Sequence, residues 1–357
     1  MVPYYVMVAI PAILSLLFSG RTDKFSAEKK NKVVTWFFFA ILLVILMVRH
    51  EKVGVDIKYY VSMFKQASNF SWKEIFKFYE DEYGYYLLNK AIGVFTDNNQ
   101  VLLGVIAIIC IIPLACLYSR NSENAILTIS IFLIISNFAI LFSALRQAIA
   151  IAIVATSYKY IKEKKVLKFI LIIVLAFFFH KSALIALLLY PIYHMNITKM
   201  KLLVLVPVIG FVFAFRNQIY VFMLQFLGEY GETYELSESS GYAMILLFAL
   251  FLLLAYVAPD ENKMDKETIG LRNMMVLTLM IQIFVLASPM AMRMNYYSAM
   301  FVPLLIPKII NRCHDKNKKT YQYIGLGLIV FFILYYFYKA YTGEDTLQIY
   351  PYRGFWK

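Results

Sequence analysis

The sequence predicts an all-α fold, a polytopic helical membrane protein of about twelve transmembrane helices, and three observations carry that expectation. Hydrophobic residues fill 61% of the 357 positions and charged residues only 16%, well under the soluble norm of about 25%. The apolar residues come in blocks of membrane-crossing length, not at amphipathic spacing. The charges collect between those blocks, and they do so with uneven sign.

A crossing needs about 20 apolar residues, because each adds about 1.5 Å toward a hydrocarbon core of about 30 Å. Residues 2–19, 33–48, 100–118, 199–216, 241–258, 270–289, 294–310 and 320–341 each satisfy that rule as one span. Two longer runs are predicted to be hairpins. Residues 125–160 are interrupted by Arg146 and Gln147, and residues 166–195 by His180 and Lys181. No lysine or arginine precedes the first block and no small-residue cleavage site ends it, so it is expected to be a retained span. With no internal repeat and no shift toward soluble composition, residues 1–357 are expected to form a single integral membrane domain.

Orientation follows from the basic residues. With both long runs folded as hairpins, more than half of the 35 Lys and Arg fall on one side, in segments such as RTDKFSAEKKNK and KIINRCHDKNKK. The other side is nearly neutral. The positive-inside rule makes the basic side cytoplasmic and places both termini outside it, so the net charge of +13 is a signature of orientation and calls for no nucleic acid partner.

Two outer loops stand out. Residues 49–99 hold amphipathic stretches around KYYVSMFKQA and WKEIFKFYEDEYGYYLLNK, expected as interfacial helices whose aromatic rings suit sugar faces. In the loop 216–240, Glu229, Glu232, Glu235 and Glu238 recur every three residues, but the flanking Gly and Ser favour a solvated turn over a metal site. Cys110, Cys116 and Cys313 have neither zinc spacing nor a disulfide pattern. No metal or other cofactor is called for, and the absence of G-x-S-x-G, H-E-x-x-H and P-loop patterns argues against a serine hydrolase, a zincin or an ATP-driven pump.

The chemistry-bearing residues are predicted at outer turns. Arg146 and His180 mark the tips of the two hairpins, Arg293 sits between two spans in SPMAMRMNYY, and Arg49 and Asp56 lie where the second span emerges. Cations at membrane depth are costly unless an anion or water meets them, and the planar arginine fork suits phosphate oxygens. Converging arginines therefore suggest a pyrophosphate clamp. His180 is the natural general base beside it, because His194 and His314 fall at the opposite ends of spans and His50 sits next to an acid.

The ordered motifs R-x(4)-G-x-D-x(2)-YY at 49–60, LRQ at 145–147, FH-x-SAL at 179–184, R-x(2)-YY at 293–297 and a terminal IYPYR resemble the EpsG family of exopolysaccharide polymerases, which is similar in role to Wzy polymerases. The resemblance implies a glycosyltransferase of the GT-C kind on the outer face of the bacterial cytoplasmic membrane. Its partner would be a polyprenyl-pyrophosphate-linked oligosaccharide, within the lipid bilayer and beside other polysaccharide-assembly membrane proteins. Carried over by position, it singles out His180 and Asp56 as catalytic, Arg49, Arg146, Gln147, Arg293, Tyr60, Ser182 and Tyr297 as substrate-binding, and Gly54 as structural. Asp56 would position His180 or an arginine, or itself be the base. A flippase for lipid-linked glycans, a membrane O-acyltransferase and a polysaccharide ligase are the rival readings; the nearly uncharged cytoplasmic halves of the spans disfavour the first, and the outer position of His180 the second.

Overall fold

The computed structural model describes residues 24–135, 137–225, 241–313 and 347–356, together with residues 3–7, 9, 13, 319–321, 323–327, 330, 334, 338 and 342. The predicted spans 2–19 and 320–341 and the loop residues 226–240 therefore lie largely or wholly outside the described part. The chain is 79% helix with no strand among the described residues, which bears out the all-α class.

The chain divides into two units, residues 1–184 with 324–357 and residues 185–323. In the first, α1 (Lys24–Met47) packs against α5 (Asn99–Asn121), and α5 against α8 (Leu145–Thr156). Between α1 and α5 the segment predicted as interfacial forms α2 (Ile57–Asn69), α3 (Trp72–Phe78) and α4 (Tyr83–Gly93). Helix α2 buries Ile57, Tyr60, Val61, Phe64 and Ala67, the i, i+3, i+4, i+7 stripe of an amphipathic helix, and packs it on α4. Helix α3 starts on a capping box, Ser71 and Glu74 satisfying each other's backbone N–H.

Both predicted hairpin runs break near their charged residues. The first gives α6 (Ala125–Ile134), α7 (Ile140–Ser143), α8 and α9 (Tyr158–Lys162), with Arg146 in the first turn of α8. The second gives α10 (Val166–Phe177), a 3₁₀ stretch Lys181–Leu188 and α11 (Leu189–His194), with His180 in the break.

In the second unit α12 (Lys199–Ala214) bends by 75° into α13 (Arg216–Gln225), so the first part of the predicted loop 216–240 is helical. Helix α14 (Tyr242–Val257), α16 (Met292–Ala299) and α17 (Val302–Asn311) pack around α15 (Lys266–Val285). That central helix buries most of its surface, and two of its buried polar residues tie it to neighbouring segments. Fully buried Asn273 donates from Nδ2 to the Met195 carbonyl at 2.6 Å, closing the end of α11. Beside it, the Arg272 guanidinium lies 4.3 Å from the Tyr256 ring centroid and bonds Glu261 at 2.8 Å.

Glu28–Met47, Asn99–Asn121 and Lys266–Val285 are long and apolar enough to cross a membrane, with the bent pair α12–α13 as a fourth at most, among the described residues. The chain is thus a helical membrane protein by length and composition of its helices.

Replacing Asn273 by leucine removes the donor that ties α15 to the Met195 carbonyl at the end of α11. A loss of about 0.5–1.5 kcal/mol is expected, read as a lower thermal midpoint of the detergent-solubilised protein.

Candidate active site

Helix α7 is one turn long, and its end at Ala144 frees backbone that must be bonded from elsewhere. The segment 141–146 obtains those partners from the loop after α1. Arg49, only 2% exposed, donates from Nη1 to the Leu141 carbonyl at 3.1 Å and lies 5.4 Å from the Phe142 ring centroid. Gly54 takes φ +105° against the Phe142 carbonyl, where a Cβ would come within 1.9 Å of the oxygen. Ser143 Oγ donates to Asp56 Oδ2 at 3.2 Å.

The IYPYR motif covers this loop. Residues 347–355 run antiparallel to 48–55, with His50 N–H donating to the Arg353 carbonyl at 2.8 Å, Gly54 N–H to Gln348 at 2.9 Å and Phe355 N–H to Val48 at 2.9 Å. Tyr352 Oη anchors the segment on the Ile45 carbonyl at 2.8 Å.

One carboxylate, Glu82, holds the next residues together. Its Oε2 meets Arg146 Nη1 at 2.6 Å, and its Oε1 meets His180 Nδ1 at 2.6 Å and the Lys181 backbone N–H at 3.0 Å. The Glu82 side chain is 3% exposed. Its backbone is left-handed, φ 51° and ψ 37°, at the N-cap of α4, a conformation that only firm surroundings keep in a non-glycine residue. Arg146 also lies over Tyr60, 5.7 Å from its ring centroid, and Lys181 Nζ pairs with Asp81 at 2.5 Å. The other ring nitrogen, His180 Nε2, is buried without a hydrogen-bond partner among the described residues. Burial pushes the Glu82 carboxyl up, but the hydrogen bond and the charge interaction with His180, the cationic charge of Arg146 and the Lys181 N–H outweigh it and hold the group below its ordinary 4.5.

The predicted site residues fall into three groups. Arg146, His180 and Tyr60 come together around Glu82, a residue to which the motifs do not point. Arg49, Gly54 and Asp56 gather on segment 141–146; the acid bonded to His180 is Glu82, while Asp56 bonds Ser143. Arg49 is enclosed among Leu141, Phe142 and the C-terminal segment, where its guanidinium holds the Leu141 carbonyl. Gln147 is buried in α8 next to Arg146, and Ser182 is half-buried in the 3₁₀ stretch. Arg293 and Tyr297 stand on α16 in the second unit, Tyr297 buried and Arg293 half-buried. Among the described residues no three His, Cys, Asp or Glu side chains group as a metal site.

The fold and the site together define a helical membrane protein in which a buried carboxylate joins a buried imidazole to a half-buried guanidinium. The model of the EpsG family matches residues 32–353, and the chain belongs to the EpsG family. That membership supports an EpsG-type exopolysaccharide polymerase, and the matched range holds every motif residue from Arg49 to Arg353. No match to a curated protein or to a solved structure was found.

Gly54→Ala must both strain a left-handed backbone and displace the Phe142 carbonyl. A thermal midpoint lowered by the equivalent of about 1–3 kcal/mol is expected, with near-complete loss of activity because Asp56 and segment 141–146 shift together. Glu82 gives a pH signature. Because its folded value is depressed, its ionised form stabilises the fold fully above about 4.5 and that contribution drains away as pH falls through the lowered value. Thermal midpoints measured on either side of that window are expected to fall more steeply for the wild type than for Glu82→Gln.

Proposed function

We propose that the protein polymerises lipid-linked oligosaccharide repeat units on the outer face of the cytoplasmic membrane. It would transfer a glycan from polyprenyl pyrophosphate to a sugar hydroxyl of a second lipid-linked unit. The observation that carries this reading is the Arg146–Glu82–His180 contact in an EpsG-family chain, with His180 Nε2 buried and unpartnered among the described residues.

In the proposed step the acceptor hydroxyl oxygen forms a bond to the anomeric carbon of the donor while the bond from that carbon to the pyrophosphate oxygen breaks. The hydroxyl proton passes to His180 Nε2, and polyprenyl pyrophosphate leaves with the bonding pair. Arg146 stabilises the charge that grows on the leaving group, an electrostatic contribution that usually outweighs acid–base assistance. Gln147, beside Arg146 in α8, and Ser182, in the 3₁₀ stretch after His180, are assigned as further contacts of the same anion. Tyr79, half-buried and stacked on Tyr86 with ring centroids 3.5 Å apart, offers a face on which a sugar can lie. Asp56 is assigned the role of holding Ser143 and so the start of α8. The twelve-crossing topology with both termini outside the cytoplasm and the description of 1–357 as one integral domain belong to this proposal.

The test is incorporation of a purified polyprenyl-pyrophosphate-linked repeat unit into longer glycans by reconstituted protein. Wild type is expected to give a ladder that Arg146→Ala and His180→Ala each reduce by about 10²-fold or more at matched folded amounts. A ladder indifferent to both changes would overturn the site. No ladder from folded wild type would turn the reading toward transport or ligation.

A further inference from the structure

The polymerase reading leaves unexplained why a buried glutamate sits between His180 and Arg146. Three features constrain the answer. First, Glu82 Oε1 already accepts the Lys181 N–H at 3.0 Å, and an ionised carboxylate can only accept, so the hydrogen in the 2.6 Å contact with His180 must reside on Nδ1. Second, that fixes the neutral ring as the tautomer whose lone pair is on Nε2, the one nitrogen of His180 that is buried and has no hydrogen-bond partner among the described residues. Third, Oε2 at 2.6 Å from Arg146 Nη1 pairs the guanidinium with an anion before any substrate arrives.

The backbone is built to keep this carboxylate where it is. Glu82 is held left-handed at the start of α4, its carbonyl accepts from Tyr85 N–H at 3.1 Å, and Gly84 N–H donates to the Phe178 carbonyl at 2.9 Å. The last of these bonds ties the start of α4 to the end of α10, two residues before His180. The strain at Glu82 is thus met by contacts that also fix the histidine-bearing break.

We infer that Glu82 is a positioning residue for the reaction: one oxygen locks His180 with Nε2 as the proton acceptor, and the other holds Arg146 in a charge-compensated state until an anion takes over. It touches no reacting atom. This inference rests on the polymerase reading for its kinetic consequence, but not for its structural one.

The kinetic test compares Glu82→Gln and Glu82→Asp with wild type in the reconstituted polymerisation assay at matched folded amounts. Glutamine is expected to lower kcat by about 10²-fold or more while KM for the lipid-linked unit stays level or falls, since Arg146 loses its competing anion. Aspartate, which restores the charge one methylene short, is expected to recover part of that loss. A protein merely loosened by the substitution would instead raise KM and lose folded material together, and a wild-type kcat for Glu82→Gln would overturn the inference. The structural test needs no turnover. Nitrogen-15 NMR of imidazole-labelled protein, with the signal assigned by its loss in His180→Asn and read on the neutral ring, is expected to find Nδ1 protonated and Nε2 bare, and to lose that preference in Glu82→Gln. A wild-type signal with the proton on Nε2 and none on Nδ1 would sink the inference even if polymerisation proceeds. Absence of polymerisation would instead sink the polymerase reading and leave the NMR result to decide Glu82.

Discussion

An apolar helix that stops inside a membrane protein leaves carbonyls that water cannot serve, and the site is assembled by meeting that demand at Ala144. The Leu141 carbonyl is met by Arg49, the Phe142 carbonyl is approached by a residue without a Cβ, and Ser143 reaches Asp56. Each of these partners comes from residues 49–56, so the break in one helical run fixes the conformation of a loop about 90 residues earlier in the chain. The C-terminal segment then closes on the same loop through backbone pairing. Arg146, two residues beyond the break, inherits its direction from all of this.

Glu82 solves a second problem, which is electrostatic. A guanidinium at low exposure needs an anion, and an isolated buried carboxylate needs a cation and hydrogen-bond donors. Placed together with His180 and the Lys181 N–H, each meets the other's need. Burial of such a set adds little net stability, because desolvation offsets much of the attraction, whereas removing one member leaves the others uncompensated. The arrangement is therefore better explained by what it positions than by what it stabilises.

Much of this was legible in the sequence, and the part that was not has identifiable causes. Arg146 and His180 stood out because each interrupts an apolar run, and both lie where the helices break. Gly54 and Asp56 announced a special turn through their spacing. Glu82 did not stand out, because EDEY offers three acids in a polar stretch and only a contact 98 residues away in sequence selects one of them. Its left-handed backbone carries no glycine or asparagine to mark it. The burial of Arg49 was not legible locally, because the segment that closes over it, IYPYR, lies about 300 residues later in the chain. The number of crossings is hard to read for a related reason: runs long enough for a span fold as short pieces, such as the ten residues of α6, which reach only about 15 Å.

The choice of arginine at position 146 follows from the same geometry. A guanidinium offers five N–H donors in a rigid plane, so one edge can stay on Glu82 and its face near Tyr60 while another edge receives an anion. A lysine ammonium is a point charge on a flexible stem, and holding Glu82 would leave it poorly placed to grip a second oxygen pair. Under the proposed function, compensation by Glu82 would also set a threshold: a weakly held monovalent ion would gain little from a guanidinium that already has a partner, whereas a pyrophosphate would bring enough charge to compete for it, so the pairing would favour the multiply charged end of a lipid-linked glycan over singly charged anions.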